Sequence, residues 1–180
     1  MKKNYLNKIV LGVFIVIILL VVFSKLDKDK GDELEEEFEL EVLVENLDTP
    51  WAIDFLSDGR MIFTERKGKV SILDFEKGVK EIRDVKVSEV SESGLMGIAV
   101  DPEFSVNNYI YVYYTAENGN RVSRFIFNDG RLQDEKFLLD NIPNAMFHDG
   151  GRIKFGPDGK LYVTTGDATK PSSAQDINSW

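Results

Sequence analysis

A pattern of strand, polar turn and strand recurs three times in the chain at intervals of about 50 residues. Each copy joins a short alternating strand to a second β-rich strand through a turn of Asp, Asn or Gly, in residues 51–65, 97–114 and 152–165. The equivalent positions Met61, Ile110 and Leu161 are 49 and 51 residues apart. A period of this length built from strand–turn–strand units is typical of the blades of a β-propeller.

Further strand patterns lie between the repeats, in residues 69–73 and 121–127, and the second of these ends at an Asp-Gly hairpin signal. No part of residues 40–180 has helical periodicity, so the sequence predicts an all-β fold. A propeller closes with about four to eight blades of four strands. Residues 41–180 hold about two to three blades, and we expect this chain to be the N-terminal part of a longer protein.

The N-terminus has the features of a membrane signal. Lys2, Lys3 and Lys8 precede an uninterrupted apolar run over residues 9–23, a length between that of a signal-peptide core and that of a spanning helix. Because no small-residue cleavage site follows, we interpret residues 1–26 as an uncleaved signal anchor, with a cleaved signal peptide as the alternative. The flanking lysines favour a cytoplasmic N-terminus, which places the remaining domain outside the cytoplasmic membrane.

Residues 27–40 form an acidic, almost entirely charged segment that is typical of a solvated linker. The six lysines and two aspartates of residues 1–30 sum to +4, which leaves −13 for the rest of a chain whose net charge is −9. An acidic domain of this kind is unsuited to neutralising phosphates, so nucleic acid is not an expected partner. The chain has no cysteine and one histidine, which excludes disulfides, thiolate metal sites and sites that need two imidazoles.

The single histidine, His148, is the candidate general base. It lies in a loop that enters the third repeat and is followed closely by Gly150 and Gly151, which allow the backbone to approach a ligand. Histidine is the side chain whose ordinary pKa lies near neutrality. On the residues alone, a structural hydrogen-bonding role for this histidine is an equal alternative.

Four other residues could contribute to a site near His148. Glu92 occupies the equivalent loop before the second repeat, and the loops entering successive inner strands of a propeller meet near its central channel. Trp51 opens the first repeat and could line the channel mouth, although packing between blades is the simpler role. Asp167 and Asp176 have the sequence context of residues that cap turns.

Four motifs in order resemble those of the glucose/sorbosone dehydrogenase family, the soluble quinoprotein aldose sugar dehydrogenases. They are LDTPW with TER in residues 47–66, ESGLMGIA in 92–99, HDGGRIKFGPDGKLYVTTGD in 148–167 and AQDINS in 174–179. Three positions depart from the pattern of the family. Asp149 stands where Asn or Gln is usual, Ser93 replaces a glycine, and Phe147 stands where some members have Asp.

The resemblance implies a six-bladed propeller that binds pyrroloquinoline quinone at the channel mouth with calcium nearby. It implies that His148 removes the proton from the C1 hydroxyl of a sugar, and that Glu92 contacts the cofactor or shapes its pocket. The family's calcium ligands and cofactor-binding cations come from later blades, so we expect no metal ligand within these residues and no activity from this part alone. The resemblance does not specify the electron acceptor.

Two other functions are compatible with the same sequence. A propeller that kept its loops without redox activity would serve as a binding or scaffold module at the cell surface. A propeller lactonase would require a metal site made of several carboxylates, and the His-Gly-Gly loop supports this interpretation less well.

Overall fold

The computed structural model describes residues 39–179, and its strands all belong to one unit that begins at Leu43. The first sheet contains β1 to β4, and the second contains β5 to β8. Their bounds are β1 Pro50–Phe55, β2 Met61–Glu65, β3 Lys69–Asp74, β4 Gly78–Asp84, β5 Leu95–Val100, β6 Tyr109–Ala116, β7 Gly119–Asn128 and β8 Arg131–Ile142. Each is a four-stranded antiparallel meander in sequence order. The third sheet is the hairpin of β9 Gly150–Phe155 and β10 Leu161–Thr165.

The second sheet is packed between the other two, because side chains alternate between its two faces. On β6, Ile110 and Val112 are buried in the cluster shared with the first sheet, whereas Tyr113 is buried in the cluster shared with the hairpin. Each fully buried aliphatic side chain contributes about 1.5–3 kcal/mol relative to an exposed one. This stacking of twisted antiparallel sheets is the packing expected for successive propeller blades.

The first strands of the three sheets, β1, β5 and β9, lie next to one another along one side of the stack. A methyl group on Gly97 of β5 would overlap the carbonyl oxygen of Gly151 on β9. Only glycine therefore allows these two strands to come this close. The loops that precede β5 and β9 lie at the same end of the stack, where a backbone hydrogen bond joins them.

The sequence prediction of an all-β fold is confirmed, with three differences in detail. The turn of the second repeat expands into a single helical turn, α1 Phe104–Asn107, and Asn108 ends it in the left-handed conformation at φ 56°. A short 3-10 helix, Pro171–Gln175, follows the third sheet. Strands β4 and β8 were absent from the sequence prediction, since few of their side chains are buried.

The predicted signal anchor of residues 1–26 lies outside the described residues, as does most of the predicted linker. Within residues 39–179, no helix combines the length and the apolar character needed to cross a membrane.

Candidate functional site

Two loops, one before β5 and one before β9, are joined by hydrogen bonds at one end of the stacked sheets. The backbone N–H of Glu92 donates to the carbonyl oxygen of Met146 at 3.3 Å. In return, the backbone N–H of His148 donates to Glu92 Oε2 at 2.8 Å. The structure thus brings together the two residues singled out in the sequence, with the Glu92 carboxylate holding the backbone of His148 and not its ring.

The imidazole of His148 is held by Asp167, the second residue after β10. Its Nδ1 lies 2.9 Å from Asp167 Oδ1, and the histidine side chain is 60% exposed while that of Asp167 is 19% exposed. A carboxylate can only accept a hydrogen bond, so in the neutral imidazole Nδ1 carries the proton and Nε2 has the lone pair. Asp167 Oδ1 also accepts the N–H of Thr169 at 2.9 Å, which fixes the orientation of the carboxylate.

The backbone around His148 adopts a conformation that its neighbours enforce. His148 itself has φ 65°, in the left-handed region that non-glycine residues rarely adopt. A methyl group on Gly166 would overlap the carbonyl oxygen of His148. Position 166 must therefore be glycine for the His148 loop to reach Asp167.

Asp149 is buried, with 2% of its surface exposed, and it anchors the loop to the second sheet. Its Oδ1 accepts the side-chain N–H of Asn120 at 3.2 Å and the backbone N–H of Ala145 at 3.0 Å. The phenol of Tyr113 donates to the Asp149 carbonyl oxygen at 3.0 Å. Burial, followed by the charge of Asp149, raises the pKa of Tyr113, so the phenol remains a donor. The second carboxylate oxygen, Oδ2, is buried without a hydrogen-bond partner.

A cavity of about 230 Å³ opens beside these loops. It is lined by Trp51, Arg66, Glu92, Met96, Asp149 and Gly150. The guanidinium of Arg152 stacks over the Trp51 ring at 4.4 Å, whereas Arg66 donates to Glu89 Oε1 at 3.1 Å. The lining therefore combines one aromatic, one cationic and two acidic residues.

The sequence interpretation of the remaining candidates was correct for some and incomplete for others. Trp51 packs against both core clusters, as the simpler of its two predicted roles requires, and it also lines the cavity. Asp176 caps a turn by accepting the N–H of Asn178 at 2.9 Å. Asp167 caps a turn as predicted but also binds the imidazole, a contact that the sequence analysis missed. The one sequence signal for this contact was the position of Asp167 shortly after the second strand of a repeat.

The carboxylates of this part of the chain do not form a metal centre. Between residues 39 and 179, no three His, Asp or Glu side chains are arranged so that they could hold a metal ion.

These features define the class of the protein. It is an all-β protein of stacked antiparallel sheets, with a cavity and an oriented imidazole where the loops before β5 and β9 meet. The family model of glucose/sorbosone dehydrogenases matches residues 47–180. The chain belongs to this family.

Relatives of known name agree with this assignment. The chain is 28% identical over 187 aligned residues to quinoprotein glucose dehydrogenase B of Acinetobacter calcoaceticus, covering 93% of this chain and 39% of that protein. Its fold matches the quinone-bound aldose sugar dehydrogenase of Streptomyces coelicolor with a TM-score of 0.74 and 30% identity, covering 78% of this chain and 44% of that one.

A third match is a structure from Thermus thermophilus, described as a putative oxidoreductase (glucose dehydrogenase), with a TM-score of 0.73 and 40% identity. It covers 77% of this chain and 44% of that one. The chain thus spans less than half the length of each of these relatives.

Proposed function

We propose that the protein carrying this chain is a quinoprotein that oxidises the C1 hydroxyl of aldose sugars, with His148 as general base. The observation that carries the proposal is the pairing of His148 Nδ1 with Asp167 at 2.9 Å on a side chain that is 60% exposed. This pairing leaves Nε2 as an oriented proton acceptor at the solvent side. Membership of a family of sugar dehydrogenases supplies the reaction class.

In this reaction His148 Nε2 accepts the proton of the C1 hydroxyl as the C1–H bond breaks and the sugar becomes a lactone. The Asp167 carboxylate stabilises the imidazolium that forms and keeps the ring from rotating. Glu92 and the left-handed backbone of His148 hold the loop, so the ring is positioned before the substrate arrives.

Pyrroloquinoline quinone, when bound, supplies the acceptor for the hydride of C1. It is a planar anion, and the described residues fit one side of such a group. Trp51 lines the cavity and can offer aromatic surface to it, and Arg66, which also donates to Glu89, is the cationic residue of the lining. Glu92 lines the same cavity, which supports its proposed role of contacting the group or shaping its pocket.

The proposal is tested with purified full-length protein reconstituted with the quinone and calcium, using reduction of an artificial dye by D-glucose. Activity is expected only when the quinone is added. The matched control substrate is sorbitol, which lacks the hemiacetal hydroxyl at C1 and is expected to give no reduction. Dye reduction that does not depend on the quinone would refute the quinoprotein assignment. No reduction with any aldose would leave the binding-module interpretation in its place.

We further propose that the sheets continue into a six-bladed ring held outside the cytoplasmic membrane by residues 9–23. The family assignment supports the ring, and the uncharged apolar run behind three lysines supports the anchor. The test is protease treatment of intact cells, followed by membrane fractionation. Degradation of the domain from outside with a membrane-bound N-terminus is expected. A protected domain, or a soluble one, would refute the anchored topology.

A further inference from the structure

Two buried residues of the second sheet face each other near the turn between β6 and β7. Thr115 and Asn120 are cross-strand partners in this hairpin, and their exposed fractions are 1% and 0%. The Thr115 hydroxyl donates to Asn120 Oδ1 at 2.6 Å. Each side chain of this Thr115–Asn120 pair is also hydrogen-bonded to one of the two loops of the site.

Thr115 holds the loop before β5 at two points. Its Oγ1 accepts the N–H of Gly94 at 3.3 Å, and its own N–H donates to the Gly94 carbonyl oxygen at 2.9 Å. Its carbonyl oxygen accepts the N–H of Ser88 at 2.9 Å. Ser88 and Gly94 flank Glu92, whose carboxylate accepts the backbone N–H of His148. Thr115 thus fixes the segment through which Glu92 reaches His148.

Asn120 holds the loop before β9, also at two points. Its Nδ2 donates to the carbonyl oxygen of Pro143 at 3.2 Å and to Asp149 Oδ1 at 3.2 Å. These two acceptors stand at the two ends of the segment that contains His148. A shift of this segment would therefore break at least one of the hydrogen bonds.

The hydrogen bonds of the Thr115–Asn120 pair can be arranged in one way only. The amide nitrogen of Asn120 must face the oxygens of Pro143 and Asp149, because both are acceptors. The amide oxygen then takes the hydroxyl proton of Thr115, and the hydroxyl oxygen accepts from Gly94. Any other arrangement would leave a buried polar group without a partner, which is costly, so the network is rigid.

We propose, building on the function proposed above, that Thr115 and Asn120 are positioning residues for His148. By holding both loops against the second sheet, they keep Nε2 at one place relative to the C1 hydroxyl while the proton is transferred. A misplacement of about 1 Å can lower a rate by about 10²-fold. Neither residue is among those that line the cavity, so kcat should depend on them and KM should not.

Three variants separate the hydrogen bonds of the pair from its shape. Asn120→Asp keeps the shape but turns an oxygen toward the acceptors on Pro143 and Asp149, so both donations are lost. Thr115→Val also keeps the shape and removes the hydroxyl that donates to Asn120. Thr115→Ser keeps this hydroxyl and is the conservative counterpart.

The experiment measures kcat and KM for D-glucose in the reconstituted full-length protein, well below its melting temperature. We expect kcat to fall about 100-fold in Asn120→Asp and about 10-fold in Thr115→Val, with KM changed by less than about threefold. Thr115→Ser should keep kcat within about twofold of wild type. Values of kcat that stay at the wild-type level in both Asn120→Asp and Thr115→Val overturn the proposal.

The matched control for a purely structural effect is Ser123→Ala. It removes a buried hydroxyl from β7 whose one side-chain hydrogen bond within residues 39–179 is with the Tyr114 hydroxyl at 3.4 Å. This variant should lower the melting temperature and leave kcat unchanged.

A second background shows whether the pair acts through the base. His148→Ala lacks the imidazole, so Asn120→Asp should cause no further loss in the single-turnover reduction rate constant of that variant. The same loss in both backgrounds would show a general structural effect and overturn the proposal.

The tautomer of His148 separates this inference from the proposed function, because it is measured without sugar or quinone. ¹⁵N NMR of the quinone-free full-length protein, with the signal assigned by its absence in His148→Gln, gives the fraction of neutral imidazole that is protonated on Nδ1. This fraction should fall in Asn120→Asp and Thr115→Val, since a displaced loop weakens the hydrogen bond to Asp167. It should stay unchanged in Ser123→Ala.

A lowered fraction supports the inference even if no aldose reduces the dye. Fractions that do not change in Asn120→Asp and Thr115→Val overturn it even if the protein is an active glucose dehydrogenase. If Asn120→Asp does not fold, as its melting curve will show, the comparison of Thr115→Val with Thr115→Ser decides.

Discussion

Replacement of Asp167 by Asn should lower the catalytic activity while leaving the fold intact. Asn is nearly isosteric, and an amide oxygen at the position of Oδ1 can still accept the N–H of Thr169, which Asp167 accepts at 2.9 Å. The same oxygen position faces His148 Nδ1 at 2.9 Å, so the proton stays on Nδ1 and the variant removes only the negative charge. The imidazolium that forms at His148 would then be stabilised by a neutral acceptor in place of a carboxylate.

The magnitude follows from the loss of one negative charge. A charge-assisted hydrogen bond is about twice as strong as a neutral one, a difference of about 1.4 kcal/mol, and we therefore expect kcat to fall about tenfold. The stability effect should be small, about 0.5 kcal/mol, because the amide keeps both hydrogen bonds and the imidazole is 60% exposed.

The assay is the pH dependence of kcat in the reconstituted protein, together with a thermal melt. Asp167→Asn should reduce kcat at every pH near neutrality, and Asp167→Glu should recover part of it because the carboxylate is restored. The matched control is Asp176→Asn, which removes a turn-capping carboxylate that does not contact the imidazole and should retain kcat. Retention of kcat within about twofold in Asp167→Asn, against the expected tenfold loss, would refute the stabilisation of the imidazolium by this carboxylate.

Two further predictions concern the loop and the second sheet. Gly166→Ala should displace the His148 loop, because the added methyl would overlap the His148 carbonyl oxygen. Such overpacking is expected to destabilise the protein by about 1–3 kcal/mol. An unchanged urea midpoint together with unchanged kcat would contradict this prediction. The hydrogen bonds of Arg121 lower the pKa of Asp140 below the 3.8 of a free aspartate. A lowered folded-state pKa adds stability above the unfolded pKa and loses it as pH falls through the folded value. Asp140→Asn should therefore lower the free energy of unfolding at pH 7, and the variant should lose less of this free energy than wild type between pH 7 and pH 3. Equal losses in the two proteins, measured by urea titration at both pH values, would argue against a contribution from this ion pair.

The inner strands of each sheet could be predicted from the sequence because they alternate and recur. The outer strands could not, since β4 buries Ile82 and exposes most of its other side chains. In β8 the two buried residues, Leu132 and Ile142, are separated by a largely exposed charged stretch. The alternation of apolar and polar residues is weak in strands such as these, because most of their side chains are exposed on both faces. α1 was hidden for a related reason, because a single turn buries only Phe104.

The site was predictable only as far as its loops. His148 and Glu92 stand before equivalent strands, so the repeat placed them at one end of the fold. The bond from His148 to Asp167 spans 19 residues and depends on the register of β9 against β10, which no local pattern reveals. Asp149 has the sequence context of an exposed loop residue, and only the packing of the loop against Asn120 shows that it is buried.

The central claim is that His148 accepts the C1 proton of an aldose. It is tested most directly by single-turnover reduction of the quinone-loaded full-length protein, followed spectroscopically after mixing with an aldose, in wild type and His148→Ala. The reduction rate constant should fall by about 10²- to 10⁴-fold in the variant at saturating sugar, with unchanged quinone content and melting temperature. Equal rate constants in the two proteins would show that another group takes the proton.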